Sequence, residues 1–214
     1  MRRAGAPGGG RPPLSSQGLR RAFVDLALAA FCLTFAWAQL VEFARSLRPS
    51  ALLIVVTELL FAGFFLVRRP ANEVSRSPWD WIATFCGVVA PLLLRPGGAA
   101  HDLLAAQVLQ VLGGVGSVLG VAYLNRSVGV VPAHRGVQWR GAYRLVRHPL
   151  YAAYLLTNTG YVLNNPSARN VVVLAVAIAF QVARIFNEER FLSRYPEYRR
   201  YQHLTRWRLI PFVF

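Results

Sequence analysis

Two stretches in the last third of the chain combine residue types that could do chemistry. The first runs Gly141-Ala142-Tyr143-Arg144-Leu145-Val146-Arg147-His148-Pro149-Leu150-Tyr151, the second Arg184-Ile185-Phe186-Asn187-Glu188-Glu189-Arg190. In a soluble enzyme such clusters are ordinary. Here they interrupt and end strongly apolar segments, where ionisable groups are expensive to hold and usually mark a site. Pro149 predicts a helix start, because proline suits the first helical position and pushes the residue before it to extended geometry. His148 then stands near the N-cap beside free backbone N–H groups, with Tyr151, Tyr154 and Leu155 on one face. That arrangement suits a purine ring or a carboxylate. An interfacial belt of Tyr and Arg at headgroup depth accounts for it equally well. In the second stretch Arg184 and Glu188 are four apart, so a helical ion pair is one reading. Paired carboxylates gripping a cation or sugar hydroxyls are another.

The elements that must position these residues are apolar. Of 214 residues 55% are hydrophobic and 15% charged, with mean hydropathy +0.37. A soluble domain of this length carries more charge. Six apolar segments cover 22–43, 51–67, 79–94, 103–124, 150–163 and 168–186. They predict an all-α, polytopic integral membrane bundle of five to six transmembrane helices with a C-terminal cytoplasmic or interfacial helix. Three segments fall short of the ~20 residues of a usual span. The fifth and sixth are expected to form a hairpin through Asn164-Asn165-Pro166. Residues 1–20, rich in Gly, Pro, Arg and Ser, read as a disordered tail. Residues 21–124 read as N-terminal transmembrane helices and 125–214 as the catalytic region.

Charge orients the bundle. All 24 basic residues are Arg, and the net charge is +15. With the N-terminus in the cytoplasm and the spans alternating, 20 Arg fall on the cytoplasmic side and 4 opposite, as the positive-inside rule requires. Both termini and both chemical stretches are then cytoplasmic. The basic residues sit between apolar runs with no aromatic–basic nucleic-acid motif, so anionic headgroups are the expected partners and nucleic acid is not. Exclusive Arg usage points to a GC-rich bacterial genome, hence an inner (plasma) membrane. Ala36-Trp37-Ala38 resembles a signal-peptide cleavage site, but the apolar run continues past it.

Other features read as packing. Cys32 and Cys86 lie in apolar runs and define neither a disulfide framework nor a metal site. Gly116 and Gly120 have the small-xxx-small spacing of close helix approach, and no strand precedes them as a nucleotide loop needs. Glu58, inside the second span, is a functional candidate by its depth or a structural group paired with Gln39 or an Arg.

Taken together, Gly-x-Tyr, Arg-His-Pro-x-Tyr, then Glu-Glu-x-x-Leu, Tyr-x-x-Tyr and Arg-x-x-Pro over roughly Asn125 to Pro211 resemble the isoprenylcysteine carboxyl methyltransferase family and its bacterial relatives. The resemblance implies a membrane enzyme using S-adenosylmethionine, with S-adenosylhomocysteine as product. It implies a cytoplasmic cofactor pocket closed by the C-terminal segment and an opening in the bilayer for an apolar or lipidated acceptor. Carried over by position, His148, Pro149, Tyr151 and Leu155 are the cofactor-facing helix start, and Gln138, Trp139 and Tyr143 edge the pocket. Glu188 and Glu189 are the acidic pair. Arg184 and Arg147 are candidates for holding a carboxylate, Glu189 for catalysis, and Arg206 and Arg208 belong to the closing tail. Leu150-Tyr151 stands where related sterol reductases show Asn-Tyr, which disfavours NADPH.

The acceptor stays open between a carboxylate and the amine of a phospholipid such as phosphatidylethanolamine. A carboxylate needs no base, whereas an amine must shed a proton to Glu189 or His148. A non-enzymatic transporter or scaffold is the competing class, but a transporter predicts broken helices in both halves, and the chemistry here is confined to one.

Overall fold

The computed structural model describes residues 16–47, 49–95 and 103–214. Six helices form the bundle: α1 (Ser16–Ser46), α2 (Pro49–Val67), α3 (Pro78–Val89), α4 (Leu104–Leu124), α5 (Pro149–Asn164) and α6 (Ala168–Leu192). A short α7 (Pro196–Leu204) follows. The architecture is the expected all-α membrane bundle, and the six helices coincide with the six apolar segments. Three stretches, Gly18–Arg45, Leu104–Ser127 and Ala168–Leu192, are long and apolar enough to cross a membrane. Outward-facing Phe23, Trp37, Phe85, Leu112 and Val172 leave the flanks of the bundle apolar, as lipid contact requires. The chain is an integral membrane protein.

α1 begins at Ser16, so residues 16–20 are helical, contrary to the expected tail over 1–20. The rest of that tail lies outside the described residues. α1 also runs unbroken through Ala36-Trp37-Ala38. Proline starts several elements, at the head of α3, α5 and α7.

Consecutive helices alternate in direction, which collects the polar connections at two ends. At one end the carboxylate of Asp25 in α1 pairs with Arg68, just past α2. Arg126, just past α4, donates to the Val67 carbonyl at 2.7 Å. A two-residue antiparallel ladder joins β1 (Glu73–Val74) to β2 (Ala133–His134). At the other end Asn170 donates to the Arg95 and Asn165 carbonyls, and the Leu103 N–H donates to Asn164.

α5 packs chiefly on α4 and α6 chiefly on α3, with few contacts between α5 and α6. The expected hairpin exists in sequence, but its arms separate. The glycines of α4 explain the first pairing. A Cβ at Gly113 would collide with Thr157 and the Ala153 carbonyl, and one at Gly116 would lie 3.1 Å from Ala153 Cβ. Gly120 abuts Leu150 in the same way. Small residues let two backbones approach where lipid supplies no hydrophobic drive.

Candidate active site

The gap between α5 and α6 opens into a cavity of about 350 Å³, within the usual range for small-molecule sites. One branch is apolar, walled by Leu28, Phe31 and Phe35 of α1 and Phe61 and Phe65 of α2. The other is polar, walled by His148 and Tyr151 at the head of α5 and by Gln181, Arg184, Asn187 and Glu188 of α6. Thr84 of α3 and Arg135 of the β2 loop also face the cavity, as does Glu58. A second hollow, of about 310 Å³, lies beyond Asp80 and Asn187 and shares both with the first.

The polar branch is built as the His-Pro spacing predicted. His148 is the N-cap of α5 and Pro149 its first residue. Its ring stacks nearly parallel to that of Tyr151, 5.4 Å between centroids. Gly141 adopts φ 58°, and the Tyr123 ring occupies the place its Cβ would need, so only glycine fits there. The short helical turn it opens buries Tyr143 against the cavity. The hydroxyl of Tyr143 is held well above the ordinary phenol range by burial, so it is a neutral donor.

The two adjacent glutamates part company. Glu188 lines the cavity and accepts from the Tyr151 hydroxyl at 3.0 Å. Glu189 is buried outside the cavity wall. Its carboxylate takes Arg147 Nε at 2.7 Å, His148 Nε2 at 3.2 Å and Arg208 Nε at 3.0 Å. Arg147 also donates to the Thr205 and Arg206 carbonyls, each at 2.9 Å. Backbone bonds from Arg147 to Trp207 and from His148 to Arg208 complete the seam. Glu189 and Arg147 therefore bind the closing tail to α5 and α6, and their charges are spent on each other. That seam is the setting of the two residues expected to be catalytic, and Arg147 also borders the cavity.

Arg184 does not pair with Glu188. Its guanidinium lies over the Tyr151 ring, 5.0 Å from the centroid, and reaches the Val130 carbonyl at 3.3 Å. Of the remaining expected residues, Pro149 is buried as the helix start. Gln138 donates to Ser127 at 3.0 Å, Trp139 is half exposed, and Leu155 is absent from the cavity wall. The face toward the cavity carries Tyr151, Tyr154 and Asn158 instead.

The tail helix docks rather than lying free on a membrane. Tyr198 and Tyr201 are buried, and the Tyr201 hydroxyl donates to the Tyr143 carbonyl at 2.7 Å. Glu197 accepts from His134 at 2.9 Å, and Tyr195 stacks on the His134 ring at 3.9 Å.

Residues 99–198, which contain α4, α5, α6 and the cavity's polar branch, match the family model described as phospholipid methyltransferase. This segment is similar to the phospholipid methyltransferase family. The family includes isoprenylcysteine carboxyl methyltransferase-like membrane enzymes. Its members typically depend on S-adenosylmethionine. No curated protein matches the chain. The matched segment supplies Tyr143, His148, Tyr151, Arg184 and Glu188, whereas Glu58, Cys32, Asp80 and Thr84 come from the helices before it. Those four were missed as a group because they are far from the motifs in sequence. Only Glu58 carried a signal, its depth in a span.

Proposed function

We propose that the protein transfers a methyl group from S-adenosylmethionine to the carboxylate of a membrane-partitioned amphiphile. The observation that carries this reading is the single cavity joining an apolar branch to the polar residues of the matched segment.

The residues fit the cofactor. The His148 and Tyr151 rings offer an aromatic surface suited to a purine. Among the described residues the buried Asn187 Nδ2 and Thr84 Oγ1 have no hydrogen-bond partner, and an unpaired buried donor is costly unless a ligand completes it. Glu188 suits ribose hydroxyls. When bound, the cofactor supplies a methyl group on a sulfonium, whose departure as a neutral thioether needs no acid.

The chain's own work is then alignment and exclusion of water. A carboxylate acceptor, with a pKa of about 3.5, is already ionised at neutral pH. The carboxylates at the cavity are each engaged: Glu188 by Tyr151, Asp80 by Ser75 and Glu58 by the Cys32 thiol. His148 is held by Glu189. This favours an acceptor that needs no base over a phospholipid amine. Arg184 positions the anion without neutralising it fully, since its charge is lost as the ester forms. The Arg-rich end of the bundle faces the cytoplasm of a bacterial cell, where soluble cofactor is available.

The test is binding of S-adenosylhomocysteine to purified protein, followed by transfer of labelled methyl from the donor into extractable lipid. A thermal shift with base-labile label, as for a methyl ester, is expected. A shift with NADPH in place of S-adenosylhomocysteine would overturn the reading, and base-stable label would move the acceptor to an amine.

A further inference from the structure

Among the described residues, three buried side-chain atoms lack a hydrogen-bond partner: Thr84 Oγ1, Arg135 Nε and Asn187 Nδ2. All three residues face the one cavity. Unpaired buried donors are rare because each costs free energy. Their concentration in one cavity marks a surface shaped for a ligand's acceptor atoms.

Arg135 is the charged member of the three. Of the other arginines bordering the cavity, Arg147 is committed to Glu189 and two carbonyls, and Arg184 is partly engaged by the Tyr151 ring and the Val130 carbonyl while it serves the reacting carboxylate. Among the described residues Arg135 has no ion pair. Asp25, whose opposite charge bears on it, is engaged with Arg68. Gly129 leaves room for the guanidinium, since a Cβ there would lie 2.6 Å from the Arg135 side chain. Burial, and then the charge of Arg68, lower its pKa to about 10, so the cation is under-compensated. Around it the wall is apolar, from Phe65 and Leu124 into the α1–α2 branch.

We infer that Arg135 recognises the anionic group of the methyl acceptor, whose hydrocarbon chain lies in the apolar branch between α1 and α2. This rests on the methyltransferase reading and adds a specificity residue to it. The charge-assisted contact satisfies the orphaned Nε and offsets the unfavourable field of Arg68. A neutral or cationic amphiphile offers neither gain.

The test uses the full-length protein in zwitterionic nanodiscs and four probes with one chain length: hexadecanoate, hexadecyl phosphate, hexadecylamine and hexadecanol. Affinities are measured for wild type, R135K and R135Q, with S-adenosylhomocysteine binding measured on the same samples. Wild type should prefer the anions. R135Q should weaken their binding by about ten- to hundredfold, R135K should retain most of it, and hexadecanol should bind all three alike. Either anion supports the assignment, and their order separates a carboxylic acid from a phosphate headgroup. Anion binding equal in R135Q and wild type overturns it. So does an R135Q variant that loses S-adenosylhomocysteine instead, which would give the arginine to the cofactor's own carboxylate. Intact anion preference without any S-adenosylhomocysteine binding overturns the methyltransferase reading while leaving Arg135 as an anion site.

Discussion

Arg147 and Glu189, forty-two residues apart, meet in a buried ion pair at 2.7 Å that also holds the last segment of the chain against the bundle. Both side chains are more than nine-tenths buried. Breaking a buried pair by removing one partner typically costs about 3–5 kcal/mol, because the other charge is left uncompensated. Glu189→Ala should therefore lower the unfolding midpoint in detergent and expose residues 205–214 to proteolysis. An unchanged melting profile and unchanged cleavage would show that the pair does not secure the tail.

Arg184 gives the complementary case. It borders the cavity, and among the described residues its guanidinium meets the Tyr151 ring and makes one long bond to Val130. Arg184→Ala should reduce turnover by about ten- to hundredfold, the cost of a charge-assisted contact of roughly 1.5–3 kcal/mol. Binding of S-adenosylhomocysteine should change little. Near-normal turnover would remove Arg184 from acceptor positioning.

The glycines offer a graded test of packing. Gly113→Ala drives a methyl into Thr157 and the α5 backbone and should destabilise by about 1–3 kcal/mol or more. Gly116→Ala meets only the Ala153 methyl, at 3.1 Å, and should cost less. Gly63→Ala meets nothing within 4 Å and should be neutral or slightly stabilising, as alanine is the better helix former. Thermal midpoints in one detergent rank the three, and a reversed order would refute the α4–α5 interface.

The docking of α7 should depend on pH through Glu197. Its own backbone N–H, and then His134, hold the Glu197 carboxyl below the ordinary value of 4.5. A depressed folded-state pKa contributes stability that is present above the unfolded value and lost as pH falls through the folded one. Hydrogen exchange in residues 196–204 should therefore accelerate below about pH 4.5, and Glu197→Gln should flatten that response. The same acid response in the variant would assign it to another group.

The 20-to-4 division of Arg between the two sides predicts that both ends are cytoplasmic. Single cysteines introduced at Leu19 and Phe212, in a Cys32→Ala, Cys86→Ala background, should both be shielded from an impermeant reagent in intact cells. Labelling of either from outside would refute a cytoplasmic location for that end.

Sequence alone determined the elements and much of the polar branch. Six apolar runs had to become buried or lipid-facing helices, since only a helix satisfies its own backbone in lipid. Pro149 had to open α5 and leave His148 at its cap, because the ring of proline fixes its own φ and restricts the residue before it. These are local constraints, set within a few residues. Tertiary structure decided what each side chain faces. Glu188 and Glu189 are neighbours in sequence, but consecutive helical residues point about 100° apart, so one reaches the cavity and the other the tail. Which does which depends on the rotation of α6, set by its packing on α3. The same holds for Arg184, drawn to Tyr151 rather than to Glu188. Thr84, Arg135 and Glu58 belong to one cavity because three separate elements converge there, a relation between distant segments that no local spacing encodes.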